Sequence, residues 1–229
     1  MSNVSGNAYA LTVLSPIKKG HCGQISYSDE IRYRLQNWGV DDASPMSQVP
    51  QTYLCRYFVL DDVYYESLPG ADFGGTLSDF LAIFSDRFRR AALPREDHLQ
   101  SKYLVFSCNF HGDLDTYLRA MWMAIGKEIN NIWGFCYAFD QVRDADGFVA
   151  YIKKCQLAAS LFFVGSTDDS LEEQLKALYI KQEFSKFAVD HQGLPADELQ
   201  QAFRAFIQRV DPGNLRHPSW KPGQTGIQH

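Results

Sequence analysis

No run of apolar residues in this 229-residue chain comes near the ~20 that a membrane-crossing helix needs. Positive charge is also scarce. Against 27 Asp and Glu there are 22 Lys and Arg, and the resulting net charge of −5 offers the phosphates of a nucleic acid no basic footprint. The five cysteines, Cys22, Cys55, Cys108, Cys136 and Cys155, are scattered and odd in number, unlike the paired spacing of a disulfide framework or a zinc knuckle. HxxxH, HExxH and CxxC are missing, so no metal site built from side chains is expected. GxSxG, Walker A and GxGxxG are missing as well, which removes the common hydrolase, nucleotide and dinucleotide readings. Residues 1–10 lack the charged and then apolar regions of a secretory signal, so the expected location is the cytoplasm, with reduced and structural thiols.

What the chain does have is aromatic bulk. Its 16 Phe and 12 Tyr suit core packing and can also line an apolar pocket. Residues 8–17 (AYALTVLSPI) predict a strand closed at Pro16, and residues 28–38 predict a helix that opens on Ser28 and Asp29 and carries Ile31, Leu35 and Trp38 on one face. The clearest strand is at 52–63 (TYLCRYFVLDDV), where Arg56 shares a face with Leu54, Phe58 and Leu60. An arginine in that company can sit at a sheet edge, snorkel to water or hold an anion.

A helix follows at 77–92, with Phe80, Phe84 and Phe88 as a docking stripe and Arg87, Arg89 and Arg90 as solvated surface. Next come a buried strand at 102–110, a long helix from Leu114 to Trp133 started by Asp113 or Asp115, a helix at 145–155 and a short apolar strand at 158–164 (AASLFFV). Two helices close the chain, one started by Ser and Asp residues at 166–169 and running to about His191, the other spanning 197–210.

This order predicts an α+β fold: a ferredoxin-like βαββαβ antiparallel sheet with an inserted helix and a C-terminal helical extension. Residues 1–165 are expected to form the core, 166–215 the helices packed on it, and 216–229 a mobile tail. Because the strand at 52–63 is apolar on both faces, the sheet face away from the helices calls for a cover, and a homodimer would supply one.

The layout formed by 10–17, TYLCRYFVLDD at 52–62 and YLVFSCNFHGDLDTYL at 103–118 resembles the dimeric α+β-barrel proteins, which include the dye-decolourising haem peroxidases. That resemblance covers about two thirds of the chain and implies haem or another apolar small molecule as ligand. The GxxDG segment expected of such peroxidases is matched at 143–147 (RDADG) except for its first glycine, which leaves Asp146 as the counterpart of the distal acid and a helix-start role as its other explanation.

Haem ligation requires a placed His, Tyr or Cys with a polar group beside the open iron position. His111, just after a buried strand and before a long helix, is the first candidate ligand, with Arg56 as its polar partner; His191, at a helix end beside Phe187, and Tyr53 are further cofactor-binding candidates. Each histidine also has a surface or capping explanation. Two functions follow: an oxidoreductase-like protein holding haem or an apolar molecule between sheet and helices, or a noncatalytic accessory protein acting through a sheet or helix surface.

Overall fold

In the computed structural model the described residues are 3–40, 44–65, 95–97, 99–165 and 169–221. In chain order they form β1 (Val4–Ser5), β2 (Ala8–Pro16), β3 (His21–Cys22), β4 (Ile25–Ser26), α1 (Tyr27–Val40), β5 (Thr52–Leu60), β6 (Val63–Tyr65), β7 (Arg95–Asp97), β8 (Tyr103–His111), α2 (Leu114–Trp133), α3 (Ala145–Cys155), α4 (Leu171–Asp190) and α5 (Ala196–Val210). The fold is α+β. Its main sheet is antiparallel with strand order β1-β2-β8-β5, and β3-β4 and β6-β7 form two further antiparallel pairs.

β2, β5 and β8 are nine residues long each, with β8 in the middle paired to both. Successive strand residues point to opposite faces, so the register lines up Leu11 with Cys108 and Cys55, and Val13 with Phe106 and Tyr57, on the face that meets the helices. α2 lies over that face. Asp113 caps it by accepting the Thr116 N–H at 2.8 Å, and this bond is the main reason the Asp113 carboxyl titrates below the usual carboxylate range. The helix departs from helical dihedrals at Ile125 (φ −136°, ψ 32°), next to Gly126, so the single helix expected from the sequence is bent there. Asp144 caps α3 in the same way, through the Gly147 N–H.

Trp133, fully buried at the end of α2, makes edge-on or stacked ring contacts with Tyr57, Phe106, Phe139 and Phe148. Its indole N–H finds the Ser15 hydroxyl at 3.1 Å, so the one polar atom of the ring is satisfied. This aromatic layer joins sheet, α2 and α3 into one core. α4 and α5 hold a smaller cluster of their own, Phe187, Phe206 and Val210. There Lys176 is buried, and its ammonium donates to the carbonyls of Val210 and Pro218 at 2.6 and 2.7 Å, placing a cation at the carbonyl end of α5.

One expected strand does not form. Residues 158–164 have no regular structure, and Leu161 and Phe163 are about four-fifths exposed. The reason is competition for the outer edge of β2. β1 pairs with Ala8 and Tyr9, and Asn3 uses its side chain to bond the carbonyls of Ala10 and Leu157 and the N–H of Ala159. The chain leaving α3 keeps one bridge, Gln156 to Val13, and one bond from the Leu157 N–H to the Thr12 carbonyl before it turns away. The helix expected at 77–92 lies outside the described residues.

Trp133→Ala should lower stability by about 3–5 kcal/mol in urea unfolding. Met123→Ala on the exposed side of the same helix should change it by less than about 0.5 kcal/mol. Equal losses would mean that Trp133 is not the centre of the core.

Candidate functional site

The sheet presents two unlike faces. The face toward the helices is closed by the aromatic layer. The other face carries three cross-strand rows: Leu14, Val105 and Phe58; Thr12, Ser107 and Arg56; and Ala10, Asn109 and Leu54. Leu54 and Phe58 are about half exposed (53% and 48%), and Arg56 stands exposed between them.

At one end of this face the pairing of β5 with β8 slips. Thr52 opposes Phe110 and Leu54 opposes Asn109, which leaves Tyr53 as the extra residue of a bulge. Gln51, just before it, adopts a left-handed backbone (φ 63°) and accepts the His111 N–H. Bulge and turn together bring the Tyr53 ring edge-on to the His111 imidazole, with centroids 5.0 Å apart. The Tyr53 hydroxyl donates to the Asp169 carbonyl at 2.9 Å and so ties the chain just before α4 to the sheet.

The structure therefore gathers three of the four sequence candidates on one side of the sheet. Arg56 and His111 share the face but not a contact: Arg56 opposes Ser107, four residues and thus roughly 13 Å along β8 from His111. His191 is elsewhere. It closes α4 with its ring stacked on Phe187 at 4.3 Å and Nδ1 2.9 Å from the Phe187 carbonyl. α4 is 20 residues, about 30 Å, long and begins near Asp169, so no single cofactor can touch both His191 and the His111–Tyr53 pair.

Among the described residues, side chains pack against one another between sheet and helices near this end of the sheet. Phe110 stacks on Tyr117 at 3.7 Å, and the Tyr117 hydroxyl is hydrogen-bonded to the Thr52 hydroxyl (2.8 Å) and the Cys108 thiol (3.1 Å). Burial pushes the Cys108 and Cys136 thiols up to about 12 and Cys55 to about 11, and it holds Tyr57 and Tyr117 far above the ordinary phenol range. These thiols are neutral at pH 7 and poor nucleophiles. Cys108 and His111 point to opposite faces of β8, so they do not form a Cys/His pair. Among the described residues no group of three or more His, Cys, Asp or Glu is placed to hold a metal ion, and no helix is long and apolar enough to cross a membrane.

Sequence reasoning passed over a second region, at the opposite end of the sheet. Beyond Pro16 the chain turns through Lys18–Gly20 into the β3-β4 hairpin and α1, and the segment from Leu99 to Lys102 runs alongside, leaving an open cleft of about 310 Å³. Its walls include Lys18, Lys19, His21 and Lys102. The available signal was the short basic run KKGH at 18–21, but its partner Lys102 lies some 80 positions on, and only pairing of β2 with β8 brings them together.

Searches against models of known families, curated proteins and solved structures find no match for the chain.

The raised thiol pKa values set a pH dependence. Unfolding returns Cys108 and Cys136 to about 9, so above that pH the unfolded chain binds fewer protons than the folded one. Their contribution is complete below pH 9 and declines as pH rises through 9–12, by about 1.4 kcal/mol per pH unit for each thiol. Urea melts at pH 8 to 11 should show that decline, and Cys108→Val should make it shallower. An unchanged slope in the variant would show that Cys108 does not contribute.

Proposed function

We propose that the chain is a binding module that assembles through the open face of its sheet, two copies packing face to face as a dimeric α+β barrel. The observation that carries this reading is the half-exposure of Leu54 and Phe58 on a strand whose other side is packed against helices. Apolar side chains left in water on a regular sheet face favour a second apolar surface, at about 25 cal/mol for each Å² removed. The face is roughly 15 Å by 30 Å, from three strands of nine residues.

The arrangement also supports a ferredoxin-like reading of the core. The order β2-β8-β5, with α1 between the first two strands in sequence and α2 after the third, is that of the first three strands of a βαββαβ unit. The chain leaving α3 stands where the fourth strand would run, reduced to its bridge at Gln156. Wild-type protein should sediment as a dimer at micromolar concentration. Phe58→Glu should give a monomer with an unchanged circular dichroism spectrum, since that side chain takes no part in the core. A wild-type monomer at 100 µM would overturn the reading.

A second reading draws on the presence of Arg56, Tyr53 and His111 on this same face. Haem or another flat apolar molecule would lie between the two sheets, with His111 as ligand and Arg56 beside it, and the protein would act as a small oxidoreductase. Purified protein mixed with haem should then develop a Soret band that His111→Ala shifts or abolishes. The absence of a band at any stoichiometry removes the haem reading and leaves the assembly reading standing.

A further inference from the structure

We infer that each copy in the face-to-face dimer lends residues 158–164 to the other, as an added strand on the outer edge of the other copy's β5. This strand addition rests on the face-to-face assembly and names the segment through which the second copy completes the sheet. It joins a strand sequence that has no edge to an edge that has no strand.

The segment AASLFFV has the composition of an inner strand, but Asn3 and β1 exclude it from its own sheet. It leaves the outer side of β2 after Leu157, whose N–H bonds the Thr12 carbonyl. Leu161 and Phe163 are then 81% and 78% exposed, whereas Phe162 and Val164 are partly buried, which is the alternation of an extended chain with one bare apolar side. Side chains of that size lose stability by standing in water. At the far edge of the sheet, β5 is paired with β8 on one side and with no described strand on the other. Its outer N–H and C=O groups are a template for one more strand.

Symmetry and reach agree with this pairing. A two-fold axis parallel to the strands, midway between the two open faces, brings the β2 edge of one copy over the β5 edge of the other. Packed sheets lie about 10 Å apart, and the extended segment reaches roughly 23 Å, so it crosses the gap and still has residues 161–164 to pair. Leu161 and Phe163 then stand on the same face as Leu54 and Phe58 of the other copy's β5. Area decides that the segment is needed. At roughly 150–200 Å² for a fully exposed side chain of this size, these four with Leu157 remove about 500 Å² of apolar surface from water per copy. The pair of copies thus reaches the ~1,000 Å² that a stable interface requires, whereas Leu54 and Phe58 alone supply about a third of it.

Sedimentation and amide hydrogen exchange on the full chain, each over a range of protein concentrations, test the strand addition. In the dimer, amides of residues 161–164 and of the outer side of β5 should exchange about tenfold or more slower than in the diluted monomer. Leu161→Asp combined with Phe163→Asp should raise the dimer dissociation constant about tenfold or more, with an unchanged circular dichroism spectrum, because neither side chain belongs to the core. Met123→Asp, at an equally exposed position on α2, should leave the constant unchanged. A wild-type dimer whose affinity the double variant retains, or slow exchange at 161–164 that persists in the monomer, overturns the strand addition and leaves the face-to-face assembly standing. A wild-type protein that stays monomeric overturns both.

Discussion

Burial of Trp133 against the central strands is the constraint on which the rest of this structure depends. The indole occupies the layer between sheet and helices, contacts rings from β5, β8, α3 and the 3₁₀ turn at Phe139–Gln141, and places its single polar atom on Ser15 of β2. A layer filled in this way is close-packed. Leu54, Arg56 and Phe58 lie on the other face of the sheet, which the described helices do not cover.

The same packing explains why the ionisable groups inside the core are chemically quiet. Cys108, Tyr117 and Thr52 form a chain of hydrogen bonds whose members are each satisfied, and burial keeps both thiol and phenol neutral. The charged groups that retain freedom stand at the margins of the fold. Arg56 is on the open face and Lys19 in the cleft, both where strands or loops meet solvent. The C-terminal helix pair follows a similar rule with its own small aromatic cluster, and the buried Lys176 uses backbone carbonyls as its counter-charge.

Much of the fold was legible in local pattern. The spacing of apolar residues gave α2 and α3 with their bounds, and Asp113 marked the start of α2 through local backbone chemistry, whereas at α3 the capping carboxylate is Asp144 and Asp146, inside the first turn, pairs with Arg119. The three long strands were legible through their bounding Pro and Gly residues and their β-branched and aromatic content. The segment AASLFFV misled because apolar content is a necessary condition for an inner strand but not a sufficient one. A strand also needs a free edge, and Asn3 with β1 had already taken much of the outer side of β2.

The candidate site was legible only as residue types. Sequence alone determined that Arg56 would share a face with Leu54 and Phe58, since alternation along a strand is a property of the backbone. It could also place His111 directly after a buried strand, which in the structure extends to include it. Only tertiary structure decided that Tyr53 would bulge out to meet His111, that His191 would stand a helix length away, and that Lys19 and Lys102 would line one cleft. The physical reason is range. Helix caps and strand alternation act over a few residues, whereas these meetings depend on strand register and edge occupancy, which are set by segments distant in sequence competing for the same hydrogen bonds.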